Sequence, residues 1–141
     1  MKNTLTFLAI FLVQVAVYSQ LSIEGTYQLK VDATNATLQR TLTLNSDGTF
    51  VFHSYEKHEQ GLPKEKNFYG KGTWTVEKNV IIFKTKSSDL DEKYQLDLTG
   101  TQARFDRKSP RDKSDRDIKT SLRFFASEIF WIKGMTLIKT D

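Results

Sequence analysis

Two histidines are the first candidates for chemistry, because His53 and His58 stand with Tyr55, Glu56 and Glu59 where an apolar run gives way to a polar one. Imidazole and carboxylate together suit zinc or copper, but a metal needs ligands held in fixed geometry. One histidine on a strand and another on a loop do not supply it, so both are expected on a solvated outward face and no metal is assigned. A hydrolytic triad needs a nucleophile, a base and a group that orients the base. With no cysteine and two histidines the choice narrows to Ser54, which sits in no strand-to-helix elbow. The carboxylates Asp89, Asp91 and Glu92 share a polar stretch that reads as a solvated turn rather than as an acid and base flanking a substrate. No catalytic residue and no cofactor are assigned, and the chain is expected to act without catalysis.

Gly70-Lys71-Gly72 superficially matches a phosphate-cradling loop, yet Trp74 follows it within a strand and no helix begins there. Alternation instead sets Phe68, Gly70, Gly72, Trp74 and Val76 on one face. The glycines allow the bend that barrel closure needs and remove side-chain volume beside Trp74. Either Phe50 and Phe52 fill that volume as core, or it persists as an apolar pocket. The candidate ligand-binding residues are therefore Phe50, Phe52, Gly70, Gly72, Trp74 and Phe83. A third candidate is the basic loop from Arg104 to Arg116, part of a mixed-charge run to Arg123 in which Arg107, Lys108, Arg111, Lys113, Arg116 and Lys119 are interleaved with Asp106, Asp112, Asp115 and Asp117. Phosphate groups of an outer-membrane glycolipid could meet such a loop. Binders of single-stranded nucleic acid place aromatic rings among their basic groups, and here Phe105 stands only at the edge, so a solvated loop is expected and no nucleic acid.

The elements that must carry these residues are strands. From Gly25 onward apolar residues recur at every second position in short runs separated by turn residues. Asn45-Ser46-Asp47-Gly48, with Gly48 left-handed, predicts a hairpin pairing Leu44 with Phe50 and Leu42 with Phe52. A two-residue turn at Lys78-Asn79 pairs Glu77 with Val80, Val76 with Ile81 and Trp74 with Phe83. A turn at Gly100-Thr101 would pair Leu98 with Ala103 and Leu96 with Phe105, setting Asp97 opposite Arg104. Ile129–Ile132 and Met135–Ile138, joined by Lys133-Gly134, read as a last hairpin. Leu122, Phe125, Ile129 and Ile132 also fit a helical spacing, which makes a short helix over Ser121–Ile129 the alternative. With strands over Gly25–Val31 and Ile118–Phe125, the pattern predicts an all-β domain of about eight to nine antiparallel strands, an up-and-down barrel or strongly curved sandwich. The aperiodic stretches Glu56–Lys66 and Asp106–Asp117 are expected to be loops.

Lys2 followed by an apolar stretch from Leu5 to Val17 and the small-residue site Val17-Tyr18-Ser19 has the layout of a secretory signal peptide. The stretch is shorter than the roughly 20 apolar residues of a membrane span. Cleavage is expected after Ser19, giving residues 1–19 as leader and 20–141 as a single domain. The sequence contains no cysteine, which removes disulfides, thiolate metal sites and an acylated cysteine, and which suits a bacterial periplasmic or extracellular setting. The net charge of +4 includes Lys2 and is too small to imply a polyanionic partner.

Gly25-Thr26-Tyr27, the Asn45-Ser46-Asp47-Gly48-Thr49-Phe50 turn, Gly70-Lys71-Gly72-Thr73-Trp74 and Asn79-Val80-Ile81-Ile82-Phe83 occur in an order that resembles the lipocalin-like small β-barrel domains of exported bacterial proteins. The resemblance implies a barrel of about eight strands that in some members holds an apolar ligand, and brings no catalytic residues. Metal-handling members of similar shape use cysteines, which this chain lacks. Two functions follow as expectations. One is a binding module for a small apolar or amphipathic ligand. The other is an envelope protein or inhibitor that acts through its surface on a protein or glycolipid partner and exposes part of the Ile129–Ile138 segment.

Overall fold

Alternation and turn chemistry together build the first five strands from local contacts. In the computed structural model, which describes residues 23–141, these are β1 (Gly25–Ala33), β2 (Ala36–Leu44), β3 (Thr49–His58), β4 (Glu65–Glu77) and β5 (Val80–Lys84). The leader expected over residues 1–19 lies outside the described residues. Leu44 pairs with Phe50 and Leu42 with Phe52, as the turn residues predict. Gly48 has φ +86°, and Asp47 closes the turn by accepting hydrogen bonds from the Thr49 amide at 2.9 Å and hydroxyl at 2.6 Å. A Cβ on Gly48 would meet only open space, its nearest neighbour being the Trp74 carbonyl at 3.9 Å. Gly48→Val is therefore a test of backbone strain without steric clash. It should cost about 1–2 kcal/mol, read as a lowered thermal midpoint; an unchanged midpoint would mean that the turn relaxes.

The second hairpin also has the expected register, with Trp74 opposite Phe83 and Glu77 opposite Val80. Its two turn residues, Lys78 and Asn79, have φ of 49° and 65°, the pair of left-handed residues that lets a two-residue turn follow the twist of its strands.

Four further strands complete the sheet: β6 (Tyr94–Leu96), β7 (Gln102–Asp106), β8 (Ser121–Ala126) and β9 (Thr136–Lys139). Around the ring the order is β3, β2, β1, β9, β8, β7, β5, β4, and β4 pairs back to β3, so eight antiparallel strands close an up-and-down barrel and β6 stands outside it. Among the described residues seventeen apolar side chains are buried, including Tyr27, Leu42, Phe50, Phe52, Phe83, Phe124 and Leu137.

Two expected hairpins are corrected. Gly100 does turn the chain, with φ +84° and a bond from the Thr101 amide to the Leu98 carbonyl at 2.9 Å, but the strands beside it do not pair with each other. Leu96 lies parallel to β4 opposite Gly70, while Ala103 pairs with Ile81 and Phe105 with Leu122. Inserting β7 between β5 and β8 satisfies both of its hydrogen-bonding edges, whereas a lone hairpin would leave two open. Asp97 does not face Arg104 and instead accepts a hydrogen bond from the Thr99 amide at 3.0 Å. Ile129–Ile132 is neither strand nor part of a helix, because successive turns close at Ile132 to Ile129 (3.0 Å) and Met135 to Ile132 (3.1 Å). The preceding residues, Ser121–Ala126, form β8. The segment crosses the end of the barrel, burying Ile132 and Met135 beneath it and leaving Phe130 exposed.

Candidate functional site

The register across β1 to β4 sorts the inner wall into rows, since side chains two apart on a strand share a face. Gly25, Leu44, Phe50 and Gly72 make one row, and Tyr27, Leu42, Phe52 and Gly70 the next. Then the chemistry changes. The third row is Leu29, Arg40, Ser54 and Phe68, the fourth Val31, Leu38, Glu56 and Lys66, and beyond it Ala33, Ala36 and His58 stand at the rim.

The residues singled out from sequence occupy the apolar rows. Phe50, Phe52 and Phe83 are buried. Phe50 meets Phe83 edge-on at 5.1 Å, and Phe83 stacks on Phe124 at 5.7 Å. Trp74 closes the far end, its indole donating to the Asn45 carbonyl at 3.1 Å. Of the two alternatives for the volume beside Trp74, filled core or apolar pocket, the surroundings of the glycines fit the filled core. A Cβ at Gly70 would lie 2.6 Å from Leu98 Cδ1 and 3.1 Å from Leu96 Cβ, and one at Gly72 would run into the Lys84 carbonyl. The volume given up by the glycines is taken by the β5 backbone and by the leucines of and after β6.

At the opposite end β1 to β4 extend past the shorter strands, and an apolar-walled cavity of about 270 Å³ opens between Val31, Ala33, Ala36, Leu38, Glu56 and His58. Trp131, carried there by the turns before β9, lies over the third row, 6.1 Å from Phe52 and 6.2 Å from Phe68. Beneath it Arg40 is buried, 8% exposed. Its Nη1 donates to the Trp131 carbonyl at 3.3 Å and approaches Met135 Sδ at 3.5 Å, and its guanidinium carbon sits 4.6 Å from the Trp131 ring centre. Nη2 lies 3.9 Å from Glu56 Oε1, beyond hydrogen-bond reach. Burial pulls the guanidinium pKa below its usual value, and the Glu56 carboxylate works against that. Arg40 Nε and Ser54 Oγ are buried without a hydrogen-bond partner among the described residues, a condition that costs about 1–3 kcal/mol for each group.

From sequence Arg40 was not singled out and Ser54 was weighed only as a nucleophile, although a signal for the pair was there. Continuing the Leu42–Phe52 register by one step sets Arg40 opposite Ser54, two polar residues on an otherwise apolar face. The histidines do not converge: His53 faces outward, its Nε2 2.8 Å from Asn67 Oδ1 and its ring stacked 4.4 Å from Tyr69, while His58 is at the inner rim. Among the described residues no group of three or more His, Asp or Glu side chains comes together as a metal site would require. The basic segment is a loop tied largely to itself, Arg116 to Asp112 at 2.8 Å and Lys108 to the Ser114 carbonyl at 2.6 Å.

A closed barrel of eight antiparallel strands, with Trp131 lying over one end, is a small β-barrel module. Residues 33–114, more than half of the chain, match the NlpE N-terminal domain family, a small β-barrel of bacterial envelope proteins. The chain belongs to that family. No match to a curated protein or to a solved structure was found. The family agrees with the exported bacterial setting expected from the sequence, and no helix among the described residues is long and apolar enough to cross a membrane.

Proposed function

We propose that this chain is an exported binding module of the bacterial envelope, periplasmic or extracellular after loss of its leader, that uses its barrel in the manner of lipocalin-like proteins. It holds a small amphipathic ligand at the end capped by Trp131, and acts without catalysis. The observation that carries this reading is the change from apolar to polar rows along the wall, the buried Arg40 and Ser54 lying one row in from an apolar-walled opening, with Trp131 over Arg40. Binding sites of this kind are concave and mainly apolar with a few placed polar groups. The absence of catalysis is favoured by the placement of Ser54, whose hydroxyl has no base beside it, His53 being on the other face.

Tryptophan emission tests the reading, because the two tryptophans lie at opposite ends of the barrel. Titration with ten-carbon amphiphiles should shift the emission of wild type and of Trp74→Phe, and Trp131→Phe should abolish the response. A response that follows Trp74, or none at all, would overturn the assignment of the site.

A second reading, a surface-interaction or inhibitor module, is favoured by Phe130, which is 86% exposed beside Trp131. It predicts that Phe130→Ser weakens capture of an envelope protein or glycolipid while leaving the amphiphile titration flat in every variant.

A further inference from the structure

We infer that the head group accepted by this barrel is a carboxylate, held by the Nε–H and Nη2–H edge of Arg40 and by the hydroxyl of Ser54, with an unbranched apolar tail running out along Leu38, Ala36 and Val31. This rests on the binding reading above and adds the chemistry of the ligand.

The argument begins from what Arg40 lacks. A guanidinium presents five donors in a planar fork suited to bidentate capture of a carboxylate. Here the face of the ion is covered by Trp131 and Nη1 is directed at two neutral acceptors, the Trp131 carbonyl and the Met135 thioether. The side edge is different: Nε is buried with no partner among the described residues, and Nη2 has only Glu56, 3.9 Å away. Ser54, directly opposite on β3, is fully buried and its Oγ is equally unpartnered. Two buried groups on paired residues, both able to donate and both unsatisfied, call for an acceptor that both could share. An anion suits them better than a neutral oxygen because the buried cation has no hydrogen-bonded counter-charge.

Glu56 is the group an incoming carboxylate must displace. It is loosely held, 3.9 Å from both Arg40 and His58, with its side chain 27% exposed, so it can turn toward the rim. The tail direction follows from the rows. From Arg40 to Ala36 is four residues along β2, roughly 13 Å, about the length of an extended ten-carbon chain, and the wall it would follow is apolar and partly open, Val31 being 49% exposed. Both orphaned atoms are closed to solvent and Trp131 lies over the guanidinium, so a ligand reaching Arg40 would displace that ring, which ties occupancy to its emission.

The test compares decanoate, methyl decanoate and decyltrimethylammonium on wild type, Ser54→Ala, Arg40→Lys and Glu56→Gln, read by calorimetry and Trp131 emission. Decanoate should bind at least tenfold more tightly than the ester or the ammonium. Ser54→Ala should weaken decanoate by about fivefold to tenfold and Arg40→Lys by about tenfold to a hundredfold, in line with a charge-assisted hydrogen bond. Glu56→Gln should tighten it. Ser54→Ala also keeps the proposal falsifiable if Arg40→Lys fails to fold: deleting an unsatisfied buried hydroxyl should leave the melting temperature of the free protein unchanged or raised while affinity falls. If the ester binds as well as the acid, or the ammonium does, the carboxylate assignment is overturned while the binding reading stands. If no amphiphile binds wild type, both fall. If Ser54→Ala lowers stability and leaves decanoate affinity intact, the residue is a structural one and the proposal is wrong.

Discussion

Gly72→Leu is expected to lower the stability of the domain by about 3 kcal/mol, the upper end of the penalty for overpacking a core. The obstacle is backbone. The Cβ itself would strike the Lys84 carbonyl and lie 3.0 Å from the Phe50 ring. Lys84 pairs with Thr73, the residue after Gly72, so the carbonyl cannot withdraw without parting β4 from β5. Because the clash begins at Cβ, Gly72→Ala should also destabilise, unlike a case in which a hollow interior welcomes the added atoms. Chemical denaturation of both variants measures this, and a Gly72→Ala protein within about 0.5 kcal/mol of wild type would show that the two strands separate easily.

Phe83→Ala should be at least as costly, about 3–5 kcal/mol. Phe83 is 1% exposed and sits between two rings, edge-on to Phe50 and stacked on Phe124. Phe50 and Phe124 come from opposite sides of the barrel, on β3 and β8, so removing the ring between them leaves a void that neither wall can close alone. The thermal midpoint should fall by roughly 12–20 °C, with amphiphile binding at the far end unchanged in whatever fraction stays folded. A fall of less than about 4 °C would mean that the core collapses around the gap.

How far these features can be read from residues depends on whether the deciding contacts are local. The Leu42–Phe52 and Trp74–Phe83 registers follow from turns next to them in the chain, and both are as the turn residues require. Gly100 is also a turn, but what pairs across it is decided by β5 and β8, far away in sequence, and no local pattern carries that. The Ile129–Ile132 segment misled for a related reason: an apolar run that caps a barrel end has the same composition as a strand buried on both faces. The candidate site divides in the same way. Phe50, Phe52, Gly70, Gly72, Trp74 and Phe83 were recognisable as one inward cluster, yet whether glycines leave space depends on Leu98 and on the Lys84 backbone, neither of which alternation can place. Arg40 and Ser54 were within reach of the same register argument as a pair, whereas Ser54 taken alone offers only a nucleophile without an elbow or a base.

The ring closes through two residue pairs, Tyr27 with Lys139 and Gln28 with Ile138, reinforced where the Thr26 amide meets the Asp141 carboxylate at 3.0 and 3.1 Å. Those partners stand 115 positions apart in the chain, while β1 to β5 are joined by hairpins of neighbouring strands. Local pairings form fast and distant ones slowly, because the entropy of bringing far segments together is paid before any contact rewards it. A curled meander should therefore exist before the circle does, with β1 and β9 as its two raw edges. Unpaired edges recruit strands from other chains, so the interval before the seam shuts is when a newly exported copy is most exposed to aggregation. β9, only four residues long, offers a passing chain little to pair with during that interval.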